Sequence, residues 1–307
     1  MRLVKDILAM MRPHQWIKNL FVFPALIFSK NLFHPYYLAE SLSAFALFCA
    51  ASGSIYIFND IMDVEEDRHH PVKRQRPLAA GRVSSRAAWT ASCLIAAASL
   101  ALSFVLGTGF GAILLVYIVM NLGYSMGLKR VVIVDVLIVA LGFVMRAAAG
   151  GVVLSVEVSP WLLACTILIA LFLVLAKRRH ELTLMDDRAN MLLELSIASD
   201  DGDRAVRYRK SLEDYSPYFL DQMIAVTTAS TLMCYILYTL SEDAIIKFGS
   251  HNLVYTVPFV IYGIFRYLYI IHRKREGGSP TRDLAGDAPL IVDVLLWGAS
   301  VVAVLYI

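Results

Sequence analysis

A series of long apolar segments constrains this chain more than any other feature of its sequence. Of its 307 residues, 58% are hydrophobic and only 17% are charged, whereas soluble domains are nearer half apolar and a quarter charged. Crossing a bilayer takes roughly 17–25 mostly apolar residues in a helix. We predict nine such spans, the first interrupted by Pro24 and Pro35, at about 20–36, 39–63, 87–106, 109–128, 131–154, 159–177, 217–240, 252–271 and 287–306. The sequence therefore predicts an all-α, polytopic membrane bundle that forms one domain, residues 1–307.

Basic residues indicate which ends of these spans face the cytoplasm. With the N-terminus inside, 24 of the 28 lysines and arginines fall in the N-terminal segment and the even-numbered loops, 64–86, 129–130, 177–216 and 272–286. Cytoplasmic loops carry such an excess of positive charge. We therefore expect a bacterial inner (plasma) membrane protein whose N-terminus and active site face the cytoplasm.

Three further features complete this plan. Residues 1–19 form an N-terminal segment, in which residues 2–11 have the pattern of an interfacial amphipathic helix. Loops 64–86 and 177–216 hold most of the residues capable of chemistry, so they are the predicted catalytic loops. The cysteines, which we interpret as apolar filler rather than a zinc site or a disulfide framework, are Cys49, Cys93, Cys165 and Cys234.

An acidic row lies at the inner end of the second predicted span. Asn59, Asp63 and Asp67 are four residues apart, so on a helix they lie on one face at intervals of about one turn. Mg²⁺ prefers one or two carboxylates together with phosphate oxygens and water. The row begins before the apolar span has ended, where ionisable groups are costly. The pattern predicts a magnesium site at these three residues, with Asp60 and Asp63 as catalytic candidates; the alternative is an ordinary solvated helix end.

A basic stretch follows the acidic row in the same loop. It reads RHHPVKRQRPLAAGR from residue 68 to residue 82. Lys73 and Arg76 are the candidates for phosphate binding, Arg76 through the fork of its guanidinium. Acids that hold a metal, followed directly by cations, suit a ligand with several phosphate groups. The alternative is a basic cytoplasmic loop without a ligand.

These motifs resemble those of a known family. The pattern NDxxDxxxD followed by RxHPxKRxRPLAAG is similar to the first Asp-rich motif of the UbiA superfamily of membrane prenyltransferases, and the nine-span plan extends the resemblance over essentially the whole chain. The resemblance implies a helical bundle around a central cavity whose mouth is capped by cytoplasmic loops. It also implies Mg²⁺-dependent handling of a diphosphate.

The sequence departs from that family after the sixth span. Most members carry a second acidic row, DxxxD, where this chain reads AKRRHEL at 176–182. Lys177 and Arg178 are therefore candidates for direct phosphate binding, and Glu181 is a catalytic candidate that could align a second metal or ribose hydroxyls. A basic cluster here favours a substrate with several anionic groups, such as phosphoribosyl diphosphate.

Other segments resemble the decaprenyl-phosphate phosphoribosyltransferase branch of the family. They are RPHQWIKN at 12–19, YSMGLKR at 124–130, KRRHE at 177–181 and the tyrosines Tyr208 and Tyr215. The branch is taken to make a precursor of arabinan sugar donors for the cell wall. Lys18, Tyr124 and Lys129 are further substrate-binding candidates, although snorkelling to the membrane surface is the alternative for both lysines.

Arg146 lies near the middle of the fifth predicted span. An unpaired charge at that depth costs on the order of several kcal/mol. Arg146 therefore either forms an internal salt bridge, for which Asp135, Asp221 and Asp293 are candidates, or binds an anionic substrate. The sequence leaves both open.

The predicted reaction is the Mg²⁺-dependent transfer of 5-phosphoribose from phosphoribosyl diphosphate to a polyprenyl phosphate, with release of pyrophosphate. The expected partners are these two substrates and the lipid bilayer, without nucleic acid, and a homo-oligomer stays open. One alternative is a prenyltransferase that moves a polyprenyl group from its diphosphate to an aromatic or other acceptor. Another is a transporter or lipid-binding protein without chemistry.

Overall fold

The computed structural model describes residues 2–69, 72–196, 215–273 and 286–306, and of residues 184–196 and Arg273 it describes the backbone alone. All regular elements in these ranges are helices, as the sequence predicts. The chain divides into two compact units. The first unit comprises Met1–Lys129 with Leu141–Leu163, and the second comprises Arg130–Ala140 with Ala164–Ile307.

Eight described helices contain a stretch long and apolar enough to cross a membrane, and they coincide with eight of the nine predicted spans. They are α3 (Pro35–Met62), α5 (Ser85–Leu106), α6 (Thr108–Met126), α7 (Val134–Val153), α8 (Pro160–Ser196), α9 (Pro217–Leu240), α11 (Val257–Arg273) and α12 (Ala288–Tyr306). The shorter helices are α1 (Arg2–Met10), α2 (Pro24–Phe28), α4 (Val64–His69) and α10 (Glu242–Phe248), with 3₁₀ helices at Pro13–Val22, Lys73–Gln75, Leu128–Arg130 and Asn252–Thr256. The chain is a multi-pass membrane protein.

The first predicted span, 20–36, differs from the structure. A 3₁₀ helix covers Pro13–Val22, α2 follows at Pro24–Phe28, and α3 begins only at Pro35. Proline lacks an N–H and clashes with the preceding helical turn, so each of these prolines starts a new element. The interruptions predicted at Pro24 and Pro35 are therefore present, and residues 20–36 do not form one continuous helix.

Residues 13–28, which we call the broken segment, nevertheless run antiparallel along α3. Arg12 contacts Asp60 near the C-terminal end of α3, Asn19 contacts the middle of α3, and the rings of Phe23 and Phe45 pack 5.7 Å apart. At a rise of 1.5 Å per residue, the part of α3 between these outer contacts covers about 22 Å, which is most of the hydrocarbon thickness of a bilayer. The segment thus runs beside α3 over a length close to the thickness that the first predicted span would have to cross.

The core of the first unit is built on α3, which packs against α5 and α6. Ala44 and Ala51 of α3 are fully buried. Phe48 packs edge to face against Phe110 and Tyr117 of α6, with ring centres 5.8 and 5.4 Å apart. Small residues at helix contacts allow close approach, which stabilises bundles in lipid. The C-terminal end of the helix held in this way carries the acidic row.

The core of the second unit lies among α8, α9 and α11. Phe172 and Leu175 of α8 are buried with Ile224 of α9 and with Tyr267 and Ile270 of α11. The Phe172 and Tyr267 rings meet edge to face at 5.4 Å. The next turn of α8 carries Lys177 to Glu181, so this core supports the basic motif.

Helix α8 extends well beyond the predicted span 159–177. It continues to Ser196, because no proline or glycine interrupts residues 177–196. The first part of the predicted loop 177–216 is therefore helical. Residues 197–214 of that loop, with Tyr208, lie outside the described residues.

The four cysteines are free thiols. Two of them that are distant in sequence, Cys165 of α8 and Cys234 of α9, lie with their Sγ atoms 3.5 Å apart. No sequence pattern predicted this contact, because the two cysteines are 69 residues apart in the chain.

Candidate active site

The acidic row follows one helical path although α3 ends within it. Asp63 is the C-cap of α3, with φ −100° and ψ 8°, and α4 begins at the next residue. Hydrogen bonds of helical spacing continue across this junction, from Asp63 N to Asn59 O at 3.0 Å and from Asp67 N to Asp63 O at 2.8 Å. The three predicted ligands therefore still succeed one another at one-turn intervals.

Asn59 and Asp63 have partners from the YSMGLKR segment. The Ser125 hydroxyl donates to the amide oxygen of Asn59. The Lys129 ammonium donates to Asp63 Oδ1 at 2.5 Å, and its side chain is 10% exposed. A single short segment at the end of α6 therefore contacts two of the three predicted ligands.

Asp67 is buried against the basic stretch. Arg76 donates to Asp67 Oδ2 at 2.5 Å and to Asp60 Oδ1 at 3.1 Å, while Lys73 Nζ lies 3.9 Å from Asp67 Oδ1. One guanidinium thus bridges two carboxylates. The two cations predicted to hold phosphate groups lie directly beside the predicted metal ligands.

Asp60 has a second partner, Arg12, which was not among the site residues predicted from the sequence. Arg12 Nη2 donates to Asp60 Oδ1 at 2.6 Å, and its guanidinium lies 5.0 Å from the centre of the Tyr56 ring. The backbone of Arg12 is left-handed, with φ 54°, and it precedes Pro13, where an α conformation is disfavoured. A residue that precedes proline tends to end a helix, and this was the one signal in the sequence that pointed to Arg12.

Together these groups form the first-unit cluster. Its members are Asp60, Asp63, Asp67, Arg12, Lys73, Arg76 and Lys129. Three carboxylates face four cations, which leaves one positive charge in excess. The excess of positive charge favours the binding of an anion, and the carboxylates offer oxygen ligands to a metal that arrives with that anion.

The oxygen donors of the cluster fit Mg²⁺. Within the described ranges, no three carboxylate, imidazole or thiol groups converge to hold a metal. Mg²⁺ that arrives with a diphosphate needs only one or two protein carboxylates, because phosphate and water complete its shell. Asp63 is 27% exposed and already holds a cation, the ammonium of Lys129. Asn59 and the partly exposed Asp63 thus suit the metal best, whereas Asp67 is buried against Arg76 and Lys73.

Arg146 is buried in the first unit, with neutral partners instead of an acid. Its guanidinium donates to Asn19 Oδ1, Tyr117 OH and the Gly142 carbonyl, each at 2.7 Å. It also lies over the rings of Phe48, Tyr117 and Phe143 at 4.8–5.8 Å. Among the described residues no carboxylate pairs with Arg146, so of the two alternatives for this residue the internal salt bridge is not formed there.

Lys18 and Tyr124, also predicted to bind substrate, lie beside these contacts. Lys18 precedes Asn19 in the first 3₁₀ helix, and Tyr124 precedes Ser125 in α6. Both side chains are partly exposed. Both residues therefore belong to the first unit, next in sequence to a partner of Arg146 and a partner of Asn59.

The second unit holds the KRRHE motif in its own ion network. Arg178 is 4% exposed and contacts Asp135 at 2.9 Å and Glu181 at 2.7 Å. Lys177 lies 3.7 Å from Glu181. Glu181 is therefore neutralised by two cations, one of them buried. This arrangement suits a positioning role for its carboxylate.

Tyr215 completes that network from outside the predicted motif. Its hydroxyl donates to Asp135 at 2.9 Å and accepts the N–H of Ile133 at 2.7 Å. Burial raises the pKa of Tyr215 to about 12, so the hydroxyl stays protonated at neutral pH. Ile133 has φ 70°, an uncommon conformation for a β-branched residue, and the tyrosine satisfies its N–H.

Comparison with known sequences identifies the family of this chain. Residues 20–282 match the profile of the UbiA prenyltransferase family. The chain belongs to this family of membrane transferases.

Several relatives are similar over nearly their whole length. The decaprenyl-phosphate phosphoribosyltransferase of Mycolicibacterium smegmatis is 34% identical over 99% of this chain and 93% of its own. The enzyme of that name from Corynebacterium glutamicum is 33% identical over 97% of this chain and 86% of its own. The Mycobacterium tuberculosis enzyme of the same name is 32% identical over 97% of this chain and 94% of its own.

Solved structures share the fold at lower identity. A UbiA homologue from Archaeoglobus fulgidus bound to GPP and Mg²⁺ superposes with a TM-score of 0.67 at 19% identity, covering 98% of this chain and 100% of the homologue. A digeranylgeranylglyceryl phosphate synthase superposes with a TM-score of 0.61 at 17% identity, covering 99% of this chain and 98% of the synthase.

Proposed function

We propose that this protein transfers 5-phosphoribose from phosphoribosyl diphosphate to a polyprenyl phosphate and releases pyrophosphate, with Mg²⁺ as cofactor. The first-unit cluster carries the proposal. It places oxygen ligands for a hard cation beside four basic side chains with one positive charge in excess. Such a site suits a metal-bound diphosphate whose remaining oxygens bind to lysine and arginine.

The names of the relatives support the same reaction. Three of them, 32–34% identical over nearly the whole chain, carry the name decaprenyl-phosphate phosphoribosyltransferase. The basic KRRHE motif adds support, because a donor with phosphate groups at both ends of the ribose offers more anionic oxygens than a prenyl diphosphate. The polyprenyl phosphate supplies another anion.

The proposed mechanism relies on charge stabilisation and positioning. Asn59 and Asp63 would hold the metal, which when bound neutralises charge that develops on the leaving pyrophosphate. Lys73, Arg76 and Lys129 bind other diphosphate oxygens. A phosphate oxygen of the acceptor attacks C1 of the ribose, and the bond from C1 to the pyrophosphate oxygen breaks. The acceptor is already an anion, so orientation matters more than a strong general base.

The remaining acids have positioning roles in this proposal. Asp60 and Asp67 are almost fully buried and orient Arg76 between them. Glu181 orients Lys177 and Arg178, to which we assign phosphate binding within the second unit. Asp63 is then the acid that contacts the metal directly.

A prenyltransferase that acts on a prenyl diphosphate is the second candidate. The homologue from Archaeoglobus fulgidus was solved with GPP and Mg²⁺, which favours this reaction for that protein. The replacement of the second acidic row by KRRHE argues against it here, because one acidic row fewer is available to hold metal-bound diphosphate.

We also propose that the protein lies in the bacterial inner membrane with its N-terminus and the first-unit cluster at the cytoplasmic side. The distribution of lysine and arginine supports this orientation. The antiparallel path of the broken segment along α3 supports an odd number of crossings.

The test is a matched pair of alanine variants. In membranes supplied with labelled phosphoribosyl diphosphate, polyprenyl phosphate and Mg²⁺, we expect Asp63→Ala to abolish the labelled lipid while the protein still inserts normally. Glu66→Ala, an exposed acid in α4, should retain normal turnover. Normal turnover by Asp63→Ala would refute the metal assignment.

A further inference from the structure

Residues 125–129 cover two of the three predicted metal ligands, and the proposed reaction alone does not explain why. α6 ends at Met126, and the 3₁₀ helix Leu128–Arg130 returns the chain toward α3. The two contacts are the hydrogen bond from Ser125 to Asn59 and the ion pair of Lys129 with Asp63. We call residues 125–129 the capping segment.

The ammonium of Lys129 occupies one oxygen of the carboxylate to which we assign the metal. Its Nζ is 2.5 Å from Asp63 Oδ1, and among the described residues Asp63 is the acid with which it pairs. The lysine side chain is 10% exposed. A buried charge that loses its partner is strongly destabilising, so Lys129 cannot leave Asp63 without another anion to receive it.

A divalent cation alone would meet this ammonium as a competitor. Binding of Mg²⁺ to Asp63 would place a double positive charge beside the displaced lysine, and like charges at such distances repel strongly in a protein interior. A diphosphate changes this balance, because its oxygens bind the metal and can accept the ammonium at the same time. Metal and diphosphate should therefore bind with strong mutual dependence.

We propose that Lys129 is a resident counter-cation that keeps divalent metal off Asp63 until a diphosphate arrives, and then transfers to the diphosphate. The inference rests on the proposed function for its metal ligands, and it adds the order in which the site is filled. It also gives the YSMGLKR motif a role, since the capping segment brings the exchanging cation to Asp63. Ser125 contributes less, because its contact carries no charge.

The experiment measures binding of Mn²⁺, as a spectroscopic substitute for Mg²⁺, to the full-length protein in nanodiscs without substrates. We expect Lys129→Met to bind Mn²⁺ at least tenfold more tightly than the natural chain, while Lys129→Arg stays within threefold of it. Arg130→Met is the matched control, because it removes a positive charge from an exposed neighbour. It should also stay within threefold.

A second arm adds inorganic pyrophosphate and corrects for the soluble complex by equilibrium dialysis. Pyrophosphate should raise Mn²⁺ binding at least tenfold in the natural chain and less than threefold in Lys129→Met. Equal Mn²⁺ affinities of the natural chain and Lys129→Met would overturn the inference, provided that Lys129→Met elutes as a folded protein.

The two proposals fail in distinguishable ways. These binding measurements contain neither a ribosyl donor nor a lipid acceptor. A chain that makes phosphoribosyl lipid but shows no effect of Lys129→Met would refute the exchange role alone. A chain that shows the effect but makes no such lipid would refute the proposed function alone.

Discussion

Arg146 and Asp135 are both buried charged groups on α7, and their surroundings differ. Arg146 donates hydrogen bonds to neutral oxygens and lies over aromatic rings, so several uncharged groups stabilise its positive charge. Asp135 faces the guanidinium of Arg178 and accepts a hydrogen bond from Tyr215. The surroundings of Asp135 make its removal more costly, since a buried ion pair that loses one member leaves an uncompensated charge.

The Asp135 pair gives the first stability prediction. Asp135→Asn should lower the free energy of unfolding by roughly 3 kcal/mol, at the low end for a broken buried ion pair, because buried Arg178 keeps Glu181 as its remaining acid. Asp221→Asn, which weakens the more exposed pair with Arg179, should cost less than about 1 kcal/mol. Thermal unfolding of both purified variants in detergent measures the difference. Equal shifts of the melting temperature would contradict the assignment.

The Tyr215 hydroxyl gives a second prediction in the same network. Tyr215→Phe leaves the N–H of Ile133 and one oxygen of Asp135 without their partner. Each unsatisfied buried group costs about 1–3 kcal/mol. Tyr218→Phe, an exposed tyrosine one turn away, should leave the melting temperature unchanged. A Tyr215→Phe protein as stable as the natural chain would show that the hydroxyl is dispensable.

The broken segment over 13–28 has consequences for the elements around it. It approaches α7 so closely that a Cβ atom added at Gly150 would lie 2.0 Å from the carbonyl oxygen of Val22. That oxygen belongs to the backbone and cannot move aside as a flexible side chain would. The glycine therefore permits the contact between the 3₁₀ helix and α7.

Replacement of this glycine tests the contact. Gly150→Ala should destabilise the protein or prevent its accumulation, because the backbone of the broken segment must shift. Gly298→Ala in α12 is the control, since a Cβ there meets nothing within 4 Å. Alanine in an open helix position is neutral or stabilises by about 0.5–1 kcal/mol. If the Gly150→Ala and Gly298→Ala proteins had the same melting temperature, the close approach of the broken segment to α7 would be refuted.

These elements also show what the sequence could and could not predict. Hydropathy located eight spans, and most of their ends within a few residues, because a bilayer selects long apolar helices; α8 alone among them extends far beyond its predicted end. At residues 20–36 the prolines marked the breaks that the structure shows, without revealing the path that the chain takes after them. The row of Asn59, Asp63 and Asp67 was visible through its helical period. The contacts of Arg12 and Ser125 with that row are long-range in sequence and follow no local pattern.

At the scale of the whole molecule, the orientation in the membrane decides which substrates reach the cluster. In the orientation that we propose from the basic loops, the residues that follow α3 lie in the cytoplasm, where a water-soluble ribosyl donor would be available. The proposed lipid acceptor would reach the protein from the bilayer.

Labelling of engineered cysteines tests the orientation. In a background without native cysteines, Gln75→Cys should escape a membrane-impermeant maleimide in intact cells, and Asn252→Cys should react. Both positions are exposed, so access depends on the side of the membrane. The reverse pattern of labelling would mean that the cluster faces outward.

The central claim is that a metal-bound diphosphate is displaced from ribose by a lipid phosphate. The direct measurement is the mass of the lipid formed when the purified protein receives Mg²⁺, a polyprenyl phosphate and equal amounts of phosphoribosyl diphosphate and a prenyl diphosphate. We expect the acceptor to gain one phosphoribosyl group, and removal of Mg²⁺ by a chelator to stop the reaction. A prenylated product, or unchanged lipid in the presence of both donors, would contradict the account.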